Sequence, residues 1–335
     1  MAECIVEVCR IGAVSAHPNA DALELAQIKG WQVCVPKGRY VEGDLVTYIP
    51  IDSVIPAEHS DRWGITKYLS NGRVRCARLR GEPSFGVVVD REDSSWGDGE
   101  NVRDFYGITK YEPPVRVTAG DAETPHPLFV PYTDIENLRH FPDVLQEGEP
   151  VVITEKIHGT NCRIGAIEGE LLAGSMGLRR KRPVRLESST YWFPLTLPGV
   201  KEMLRHLAGN HKQAILYGEV FGRGVQSLQY GQVGLAFMAF DLLLDGKYCN
   251  HQQFANLCER FDVPVVPLMD LGPFSMDAVR ACAGGSTAIG GDHIREGVVV
   301  RPTKERTDPK VGRVVLKYIS DDYLLSKGIS DNKDE

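Results

Sequence analysis

The sequence predicts an α+β protein with two domains, an all-β barrel followed by a larger mixed domain. The chain has 335 residues, which at roughly 100–200 residues per domain is enough for two ordinary cores. Short strand-like runs separated by Gly, Pro and Asp residues fill the first part of the chain. After a proline-rich segment the pattern changes, because apolar strands then alternate with helical periodicity.

Composition argues against disordered, fibrous and membrane-spanning chains. Hydrophobic residues make up 42% and charged residues 25% of the chain, close to the average of globular proteins. The longest nearly apolar stretch, residues 233–244, contains Asp241 and is far shorter than the ~20 residues of a membrane span. Glu3 stands where a secretory signal would carry basic residues. We therefore expect a protein of the cytoplasm or nucleus without a membrane partner.

The eight cysteines predict buried thiols and no metal centre. They include no Cys-x-x-Cys pair, which argues against a zinc ribbon and a thioredoxin-type site. Cys249, His251 and Cys258 lie close in sequence, but their spacing fits no common set of metal ligands.

The first domain, residues 1–112, is expected to be a small barrel. Its predicted strands are residues 5–8, 32–35, 45–49, 73–79 and 86–89. Five strands in about 110 residues suit an OB-fold or an SH3-like barrel, and we favour the OB-fold, a common platform for oligonucleotides. Residues 17–24 resemble the opening of OB-type RNA-binding domains attached to tRNA-handling enzymes.

One face of this barrel is predicted to be basic. Arg73 and Arg75 share a strand face by the period of two, as do Arg78 and Arg80 beside a Gly/Pro turn. We assign these four arginines to nucleic-acid binding, although charges on an exposed edge also prevent aggregation. The net charge of −7 does not exclude this role, since local basic patches bind phosphates on acidic proteins. Two further basic islands cover residues 179–185 and 301–317.

Residues 113–133 are rich in proline and are predicted to form a linker without regular structure. The mixed domain follows at residues 134–325, and residues 326–335 form a polar tail. Its predicted strands are residues 151–154, 214–217, 237–240, 297–300 and 314–316, and its helices are residues 200–208, 254–261 and 276–283.

Residues 154–161 (Thr-Glu-Lys-Ile-His-Gly-Thr-Asn) carry the most informative pattern. Lys156 follows an apolar strand directly and is soon followed by a glycine, where backbone can approach a ligand closely. These features make Lys156 a candidate nucleophile. A lysine amine must lose its proton before it attacks, and nearby cations or loss of solvent favour that loss.

This segment resembles motif I of the covalent nucleotidyltransferases, the superfamily of polynucleotide ligases and mRNA capping enzymes, whose lysine forms a lysyl-nucleotide adduct. Further segments resemble motifs III, IIIa, IV and V in the expected order, and these are residues 217–222, 239–241, 295–300 and 316–320. The resemblance implies an ATP-grasp-like ligase fold for the second domain.

The resemblance also implies a role for each matching residue. Glu219 would accept hydrogen bonds from the ribose hydroxyls, and Phe240 would stack on adenine. Glu296 would bind Mg²⁺ or Mn²⁺ and help to seat the lysine, and Lys317 would contact the α-phosphate. The other residues implied in nucleotide binding are Glu155, His158, Gly159, Asn161 and Arg179.

His158 indicates the branch of the superfamily, because DNA ligases and capping enzymes usually carry Asp at this place. Lys-x-His-Gly-Thr-Asn resembles RNA ligases, in which Asn161 would help to position the nucleic-acid end. A barrel that precedes the transferase domain resembles the Deinococcus-type RNA ligase family over most of the chain.

Two positions depart from the pattern. The family normally has a basic residue two positions before the motif V lysine, where this chain has Val315. Motif Ia should supply one arginine soon after motif I, and both Arg179 and Arg180 are eligible, of which we select Arg179.

We therefore expect a monomeric, ATP-dependent RNA ligase of RNA repair. It would use ATP and a divalent cation to form a lysyl-AMP, transfer AMP to a 5′-phosphate, and seal that end to a 3′-hydroxyl on an RNA or DNA template. A DNA ligase or GTP-dependent capping enzyme is one alternative. A non-catalytic RNA-binding protein with a ligase-like shell is another, favoured by Val315 and the uncertain motif Ia arginine.

Overall fold

The computed structural model describes residues 4–112 and 121–326, and it divides the chain into two compact units. The described residues of the first unit lie within Met1–Val115, Asn137–Pro142 and Leu324–Glu335, and those of the second within Arg116–Glu136 and Asp143–Tyr323. The first unit is therefore discontinuous in sequence. It includes residues 137–142, which are predicted from the sequence to belong to the second domain. Residues 113–120 of the predicted linker and 327–335 of the predicted tail lie outside the described residues.

The first unit is built mainly from short strands. They are β1 (Glu7–Ala16), β2 (Leu23–Ile28), β3 (Trp31–Pro36), β4 (Leu45–Ile49), β5 (Ser53–Val54), β6 (Ala77–Leu79), β7 (Glu82–Ser84), β8 (Val87–Asp90) and β9 (Thr109–Lys110). One helix, α1 (Ala57–Arg62), and a 3₁₀ turn at Thr66–Tyr68 lie between β5 and β6.

Five of these strands form one antiparallel sheet in the order β3-β2-β1-β4-β8. β1 pairs with β4 through its first half and with β2 through its second half, and a register shift between Ile11 and Ala13 separates the two parts. Such irregularities bend a strand. The Phe85 N–H donates to the Gln32 carbonyl at 2.9 Å, so the chain between β7 and β8 reaches both edges of the sheet and closes it into a barrel.

The second unit contains more strands and the remaining helices. Its strands are β10 (Ala122–Glu123), β11 (Glu136–Asn137, at the unit boundary), β12 (Pro150–Lys156), β13 (Thr160–Ile167), β14 (Glu170–Ser175), β15 (Arg179–Arg180), β16 (Gln213–Gly222), β17 (Leu235–Leu244), β18 (Lys247–Tyr248), β19 (Leu268–Pro273), β20 (Gly297–Pro302), β21 (Thr307–Asp308), β22 (Gly312–Arg313) and β23 (Leu316–Ile319). Its helices are α2 (Pro198–Ala208), α3 (His251–Arg260), α4 (Met276–Ala283) and α5 (Asp321–Leu325, which continues into the first unit), with 3₁₀ turns at Leu186–Ser188 and Phe193–Thr196.

Two antiparallel sheets organise this unit. The larger has seven strands in the order β10-β15-β14-β13-β16-β17-β18. Its apolar face packs against α2 and α3 through residues such as Leu204, Leu216 and Phe254. The smaller sheet contains the order β23-β20-β12-β19, and α4 lies against these strands. β12 and β13 are consecutive in the chain but belong to different sheets, so residues 157–159 form the junction between the sheets.

A buried ion network also joins the two sheets. The Asp241 carboxylate on β17 is fully buried and lies 3.1 Å from Arg301 Nη1 and 2.7 Å from Arg313 Nη2. It also accepts a hydrogen bond of 2.8 Å from the Tyr132 hydroxyl. Glu305 binds the Arg313 guanidinium through both carboxylate oxygens at 2.7 Å.

Most predicted elements of the second unit are confirmed, and one is misplaced. The strand expected at residues 314–316 is observed as β23 at Leu316–Ile319. Val314 and Val315 look strand-like because they are apolar, but they are buried just before the strand begins. Among the cysteines, Cys4, Cys9, Cys162, Cys249 and Cys258 are buried free thiols, as predicted for most of them. None of the helices in the described part of the chain is long and apolar enough to cross a membrane.

Candidate active site

Lys156 is the last residue of β12 and lies where the chain leaves the smaller sheet for the larger one. It pairs in register with Gly297 on β20. A Cβ at Gly297 would overlap the carbonyl oxygen of Tyr318, so only glycine lets β20 lie this close to β23 here. The Lys156 side chain is 27% exposed, so it is not enclosed by the protein.

Glu296 binds the Lys156 amine. The Lys156 Nζ donates to Glu296 Oε1 at 2.5 Å, and the Glu296 side chain is only 4% exposed. The second oxygen, Glu296 Oε2, is buried without a hydrogen-bond donor among the described residues and lies 3.8 Å from His158 Nδ1. An unpaired buried carboxylate oxygen is costly, so this atom is suited to a ligand that brings positive charge.

His158 is buried and fixed by side chains from two later segments. Its backbone N–H donates to the Tyr230 hydroxyl at 2.6 Å. Its ring Nδ1 lies 3.0 Å from the Tyr323 hydroxyl, and its ring Nε2 lies 3.2 Å from Ser227 Oγ. Burial raises the pKa of the Tyr230 hydroxyl, and nearby carboxylates including Glu296 raise it further. Tyr230 is therefore protonated at neutral pH and stays an uncharged partner of the His158 backbone.

Gly159 allows the junction to pack against β16. A Cβ at this position would overlap the carbonyl oxygen of Val220 and lie 2.9 Å from Cγ of Glu219. Two residues later, Asn161 pairs in register with Glu219. The register therefore places these motif I residues directly beside the Glu219 carboxylate.

Phe240 lies on the same face of the larger sheet as Glu219. The register between β16 and β17 shifts after Tyr217, which leaves Phe240 as an extra residue in its strand. The rings of Phe240 and Tyr217 lie 4.9 Å and 5.0 Å from the ring of Tyr132. Glu219 is two residues from Tyr217 and shares its face. Phe237, by contrast, is buried in the core on the opposite face.

Lys317 shares a face of the smaller sheet with Lys156. It pairs with Val299 on β20, and Val299 pairs in turn with Thr154 on β12. Because Thr154 and Lys156 are two residues apart, all these side chains lie on one face. Val315, at the usual place of a second basic residue, is 1% exposed and brings no charge to this face.

The two motif Ia candidates lie at an edge of the larger sheet. β15 is separated from β16 by β14 and β13. Arg179 Nε lies 3.1 Å from Glu123 and its Nη2 lies 3.3 Å from Glu170. Arg180 Nη1 lies 2.5 Å from Asp121. Both guanidiniums therefore have carboxylate partners, and the role of Arg179 in nucleotide binding stays a prediction.

The expected basic face of the barrel is only partly formed. The continuous strand predicted at residues 73–79 is wrong, since β6 begins at Ala77. Arg73 is buried, binds Asp52 at 2.7 Å and stacks 3.6 Å above the Tyr111 ring, so its guanidinium is used inside the unit. Arg78 and Arg80 are exposed at the predicted hairpin of β6 and β7, and Arg75 is partly exposed.

Glu155 differs from the expectation of a nucleotide ligand. Its carboxylate is completely buried and accepts hydrogen bonds from the Thr287 hydroxyl and the Ala288 N–H. Arg295 Nε lies 3.4 Å from the same group. Neither these contacts nor those of Tyr230, Ser227 and Tyr323 with His158 are predicted from the sequence. Arg295 lies in the segment that resembles motif IV, but the segments that contain Thr287, Tyr230 and Tyr323 carry no local pattern that links them to residues 155–158.

The donor set around Lys156 fits a divalent cation that is bound mostly by substrate. Within the described ranges, no group of three or more His, Cys, Asp or Glu side chains is arranged to hold a metal ion. Mg²⁺ in phosphate-transfer sites usually takes one or two carboxylates, with substrate phosphates and waters as its other ligands. Glu296, with its unpaired Oε2, provides one such carboxylate.

Comparison with protein families matches both parts of the chain. The RNA ligase family model matches residues 149–319, a range that contains all the motif residues above. An OB-fold domain model matches residues 5–90. The prediction of an OB-fold for the first domain is therefore confirmed over the SH3-like alternative. None of the curated proteins compared with this chain matches it.

Several solved structures of Naegleria gruberi RNA ligase share the fold of this chain. A ligand-free variant superposes with a TM-score of 0.81, a variant with ATP and manganese with 0.79, and the ligase with pyrophosphate with 0.80. Each is 24% identical and covers 96% of this chain and 98% of its own length. The predicted combination of an OB-fold barrel with a mixed α+β domain is thus confirmed over nearly the whole chain.

Proposed function

The chain belongs to the RNA ligase family, and from this membership we propose that it is an ATP-dependent enzyme that seals 3′-hydroxyl and 5′-phosphate ends in RNA repair. The observation that carries this proposal is the pair of Lys156 and Glu296, whose charged atoms are 2.5 Å apart at the junction of the two sheets. The buried carboxylate fixes the position of a partly exposed amine, and such positioning favours attack on a bound substrate.

In the first step, the Lys156 amine, after losing its proton, attacks the α-phosphorus of ATP. A bond forms between Nζ and phosphorus, the bond from phosphorus to the bridging oxygen breaks, and pyrophosphate leaves. Phosphoryl transfer of this kind depends mainly on positioning and charge stabilisation. Glu296 supports positioning because it fixes Nζ before the substrate arrives.

The next two steps pass AMP on and release it. An oxygen of an RNA 5′-phosphate attacks the phosphorus of the lysyl-AMP, and the bond to Nζ breaks, which restores Lys156. The 3′-hydroxyl of the second end then attacks the 5′-phosphorus, and AMP leaves as the new phosphodiester forms. Asn161 is proposed to help position the nucleic-acid end, supported by its place beside Glu219.

Glu296 is the residue proposed to bind Mg²⁺ or Mn²⁺. Such an ion, when bound, would neutralise charge on the substrate phosphates. The unpaired Oε2 supports this assignment, as does the Naegleria ligase of similar fold solved with ATP and manganese.

The nucleotide is proposed to lie between the two sheets of the second unit. Glu219 would bind the ribose and Phe240 the adenine, supported by their common face on the larger sheet. Lys317 would contact the α-phosphate, supported by the face it shares with Lys156. The remaining residues proposed near the nucleotide are His158, Gly159 and Arg179.

RNA binding is proposed to use exposed cations on both units. In the first unit these are Arg78 and Arg80 at the β6–β7 hairpin, with Arg75 nearby. In the second unit Lys181, Arg182 and Arg185 are exposed directly after β15, in contrast to the two carboxylate-bound arginines before them. The order of barrel and transferase domain supports a Deinococcus-type ligase, and we propose that it acts as a monomer.

The decisive experiment is detection of the lysyl-AMP. Incubation with labelled ATP and Mg²⁺ or Mn²⁺ should give a covalently labelled band that resists denaturation, and Lys156→Ala should give none. Intact-protein mass spectrometry should show the mass of one AMP on wild type. Labelling by GTP instead of ATP would indicate a capping-type enzyme, and the absence of any adduct would leave only a non-catalytic RNA-binding protein.

A further inference from the structure

Glu155 has the contacts of a positioning residue. Its side chain is completely buried, and both carboxylate oxygens have partners. Oε1 accepts from the Thr287 hydroxyl at 2.5 Å, and Oε2 accepts from the Ala288 N–H at 2.8 Å. Since Glu155 and Lys156 are neighbours in a strand, their side chains point to opposite sides of the sheet. The Glu155 carboxylate therefore lies away from the face that carries the Lys156 amine.

The partners of Glu155 belong to a glycine-rich loop, residues 284–291, which connects α4 to the segment before β20. Arg295 completes the contact, with its Nε 3.4 Å from Glu155 Oε2 and its side chain 8% exposed. The Arg295 guanidinium also donates to backbone carbonyls of the same region, namely those of Cys282, Gly284 (2.9 Å) and Ser286 (2.8 Å). A planar guanidinium with five donors is suited to such a set of acceptors.

The buried contacts of Glu155 with Thr287 and Arg295 lie next to Lys156 and Glu296 in the chain. Glu155 precedes Lys156, and Arg295 precedes Glu296. The two neighbouring residue pairs thus form two ion pairs, Glu155 with Arg295 in the interior and Lys156 with Glu296 toward the accessible face. The position of Glu296 depends on the backbone at Arg295, which is held by the loop and by Glu155.

We propose that Glu155, together with Arg295 and Thr287, positions Lys156 and Glu296 for attack on ATP and does not itself touch the nucleotide. This inference rests on the proposed ligase function and adds a set of residues outside its reacting groups. A misplacement of about 1 Å in a phosphoryl-transfer site can cost on the order of 100-fold in rate. Loss of these contacts therefore lowers the rate of adenylyl transfer without weakening ATP binding.

The test measures single-turnover formation of lysyl-AMP as a function of ATP concentration. We expect Glu155→Gln to lower the maximal rate constant by roughly 10- to 100-fold and to leave the half-saturating ATP concentration within about twofold of wild type. A direct nucleotide ligand would instead raise the half-saturating concentration, and that result would overturn the proposal.

A second variant acts from the loop side. Thr287→Val removes the hydroxyl that Glu155 accepts from, and we expect it to lower the same rate constant. The double variant should lose little more than Glu155→Gln alone, because both changes break one interaction. Fully additive losses would contradict a shared positioning role. Thr307→Val, an exposed threonine in β21, is the matched control and should behave as wild type.

Two further measurements distinguish a variant that fails to fold from one that folds but forms lysyl-AMP slowly. Near-UV circular dichroism and the thermal midpoint show whether each variant is folded, and if Glu155→Gln fails to fold, Thr287→Val alone decides the outcome. An active wild type with Glu155→Gln and Thr287→Val indistinguishable from it would overturn the positioning role alone. A wild type that forms no adduct would overturn the proposed function, and this inference with it.

Discussion

Glu296 holds the Lys156 amine with one carboxylate oxygen, while the other is buried and has no hydrogen-bond donor in the part of the chain that the structure describes. Lys156 is the last residue of β12, and Glu296 directly precedes β20, the neighbouring antiparallel strand of the smaller sheet. One carboxylate can thus serve both as an anchor for the nucleophile and as a ligand for a cation. A change at Glu296 is therefore expected to affect both the position of the Lys156 amine and the binding of the proposed cation.

Glu296→Gln should abolish most adenylylation while the protein stays folded. The amide keeps the shape of the side chain but lacks the negative charge that both the amine and a cation require. We expect the rate of lysyl-AMP formation to fall by about 100-fold or more, the range seen when one charge-stabilising group is removed. Manganese binding, followed by electron paramagnetic resonance in the presence of ATP, should weaken in parallel. Unchanged manganese affinity would argue against Glu296 as a ligand.

Gly159→Ala should destabilise the second unit. The new methyl group would overlap the Val220 carbonyl oxygen, which is backbone in the middle of the larger sheet and has little freedom to move. Overpacking of this kind typically costs about 1–3 kcal/mol of unfolding free energy. Urea denaturation followed by fluorescence gives this value. Gly234→Ala is the control, because apart from its two chain neighbours no described residue has an atom within 4 Å of the added Cβ. An equal loss there would refute the steric explanation.

Asp241→Asn should be among the most destabilising single changes. It removes the carboxylate that pairs with Arg301 and Arg313, both nearly buried, and leaves their positive charges close together. Breaking a buried pair by removing one partner costs about 3–5 kcal/mol. The midpoint of thermal unfolding should fall clearly, whereas Asp277→Asn, which breaks an exposed pair with Arg280, should leave it nearly unchanged. Equal losses of thermal stability in the two variants would show that burial does not determine the cost of breaking an ion pair.

His251 should make the stability of the protein depend on pH. Burial lowers the pKa of His251 below its ordinary value of 6.5, and the positive charge of Arg301 lowers it further. The unfolded chain then binds this proton more readily than the folded one. The stabilising contribution is complete above pH 6.5 and is lost as the pH falls through the lowered pKa of the folded state.

The expected measurement is a comparison of urea midpoints between about pH 7.5 and pH 5. Wild type should lose stability more steeply than His251→Gln over this interval. His206→Gln, which alters an exposed histidine on α2, is the matched control and should follow wild type. Parallel curves for wild type and His251→Gln would contradict the assignment.

Replacement of Lys181, Arg182 and Arg185 by alanine should impair sealing more than self-adenylylation. If these exposed cations bind RNA phosphates, their loss weakens RNA binding and lowers the dependence of affinity on salt by about one unit of slope per contact. A gel-shift titration of nicked RNA at several salt concentrations measures both. The control neutralises three other exposed cations of the second unit, Arg205, Lys212 and Arg260. Similar losses in both triple variants would indicate general electrostatics instead of a defined site.

Local patterns in the sequence were sufficient for most of the elements predicted in the second unit and for selecting Lys156 as the candidate nucleophile. The strand that ends at Lys156 contains an apolar run at residues 151–153, and Gly159 follows it closely. Both features can be recognised without the rest of the chain. These properties depend on residues that are close in sequence or that recur at the strand period. The pairing of Asn161 with Glu219, by contrast, is known only from the register of β13 and β16.

Long-range pairing decided what the sequence could not reveal. Arg73 looks like an exposed strand residue until Asp52, 21 positions away, and the Tyr111 ring bury it. Glu155 is drawn to Thr287 across 132 positions, and no periodicity indicates that partner. Tyr323 reaches His158 from beyond the last motif. Arg73 and Glu155 were predicted to bind a ligand, but their charged groups have partners inside the fold. Tyr323 was not among the residues singled out from the sequence.

β20 sets a fixed span inside the second unit. Glu296 lies just before this strand and Arg301 lies near its far end, where it binds Asp241, the neighbour of Phe240. At ~3.3 Å per residue the two ends are about 16 Å apart. A deletion of one residue would shorten that span and turn every later side chain to the opposite face. The length of β20 therefore sets the distance between the cation end and the adenine end of the proposed pocket. We expect related proteins to show substitutions in this strand but no insertions or deletions.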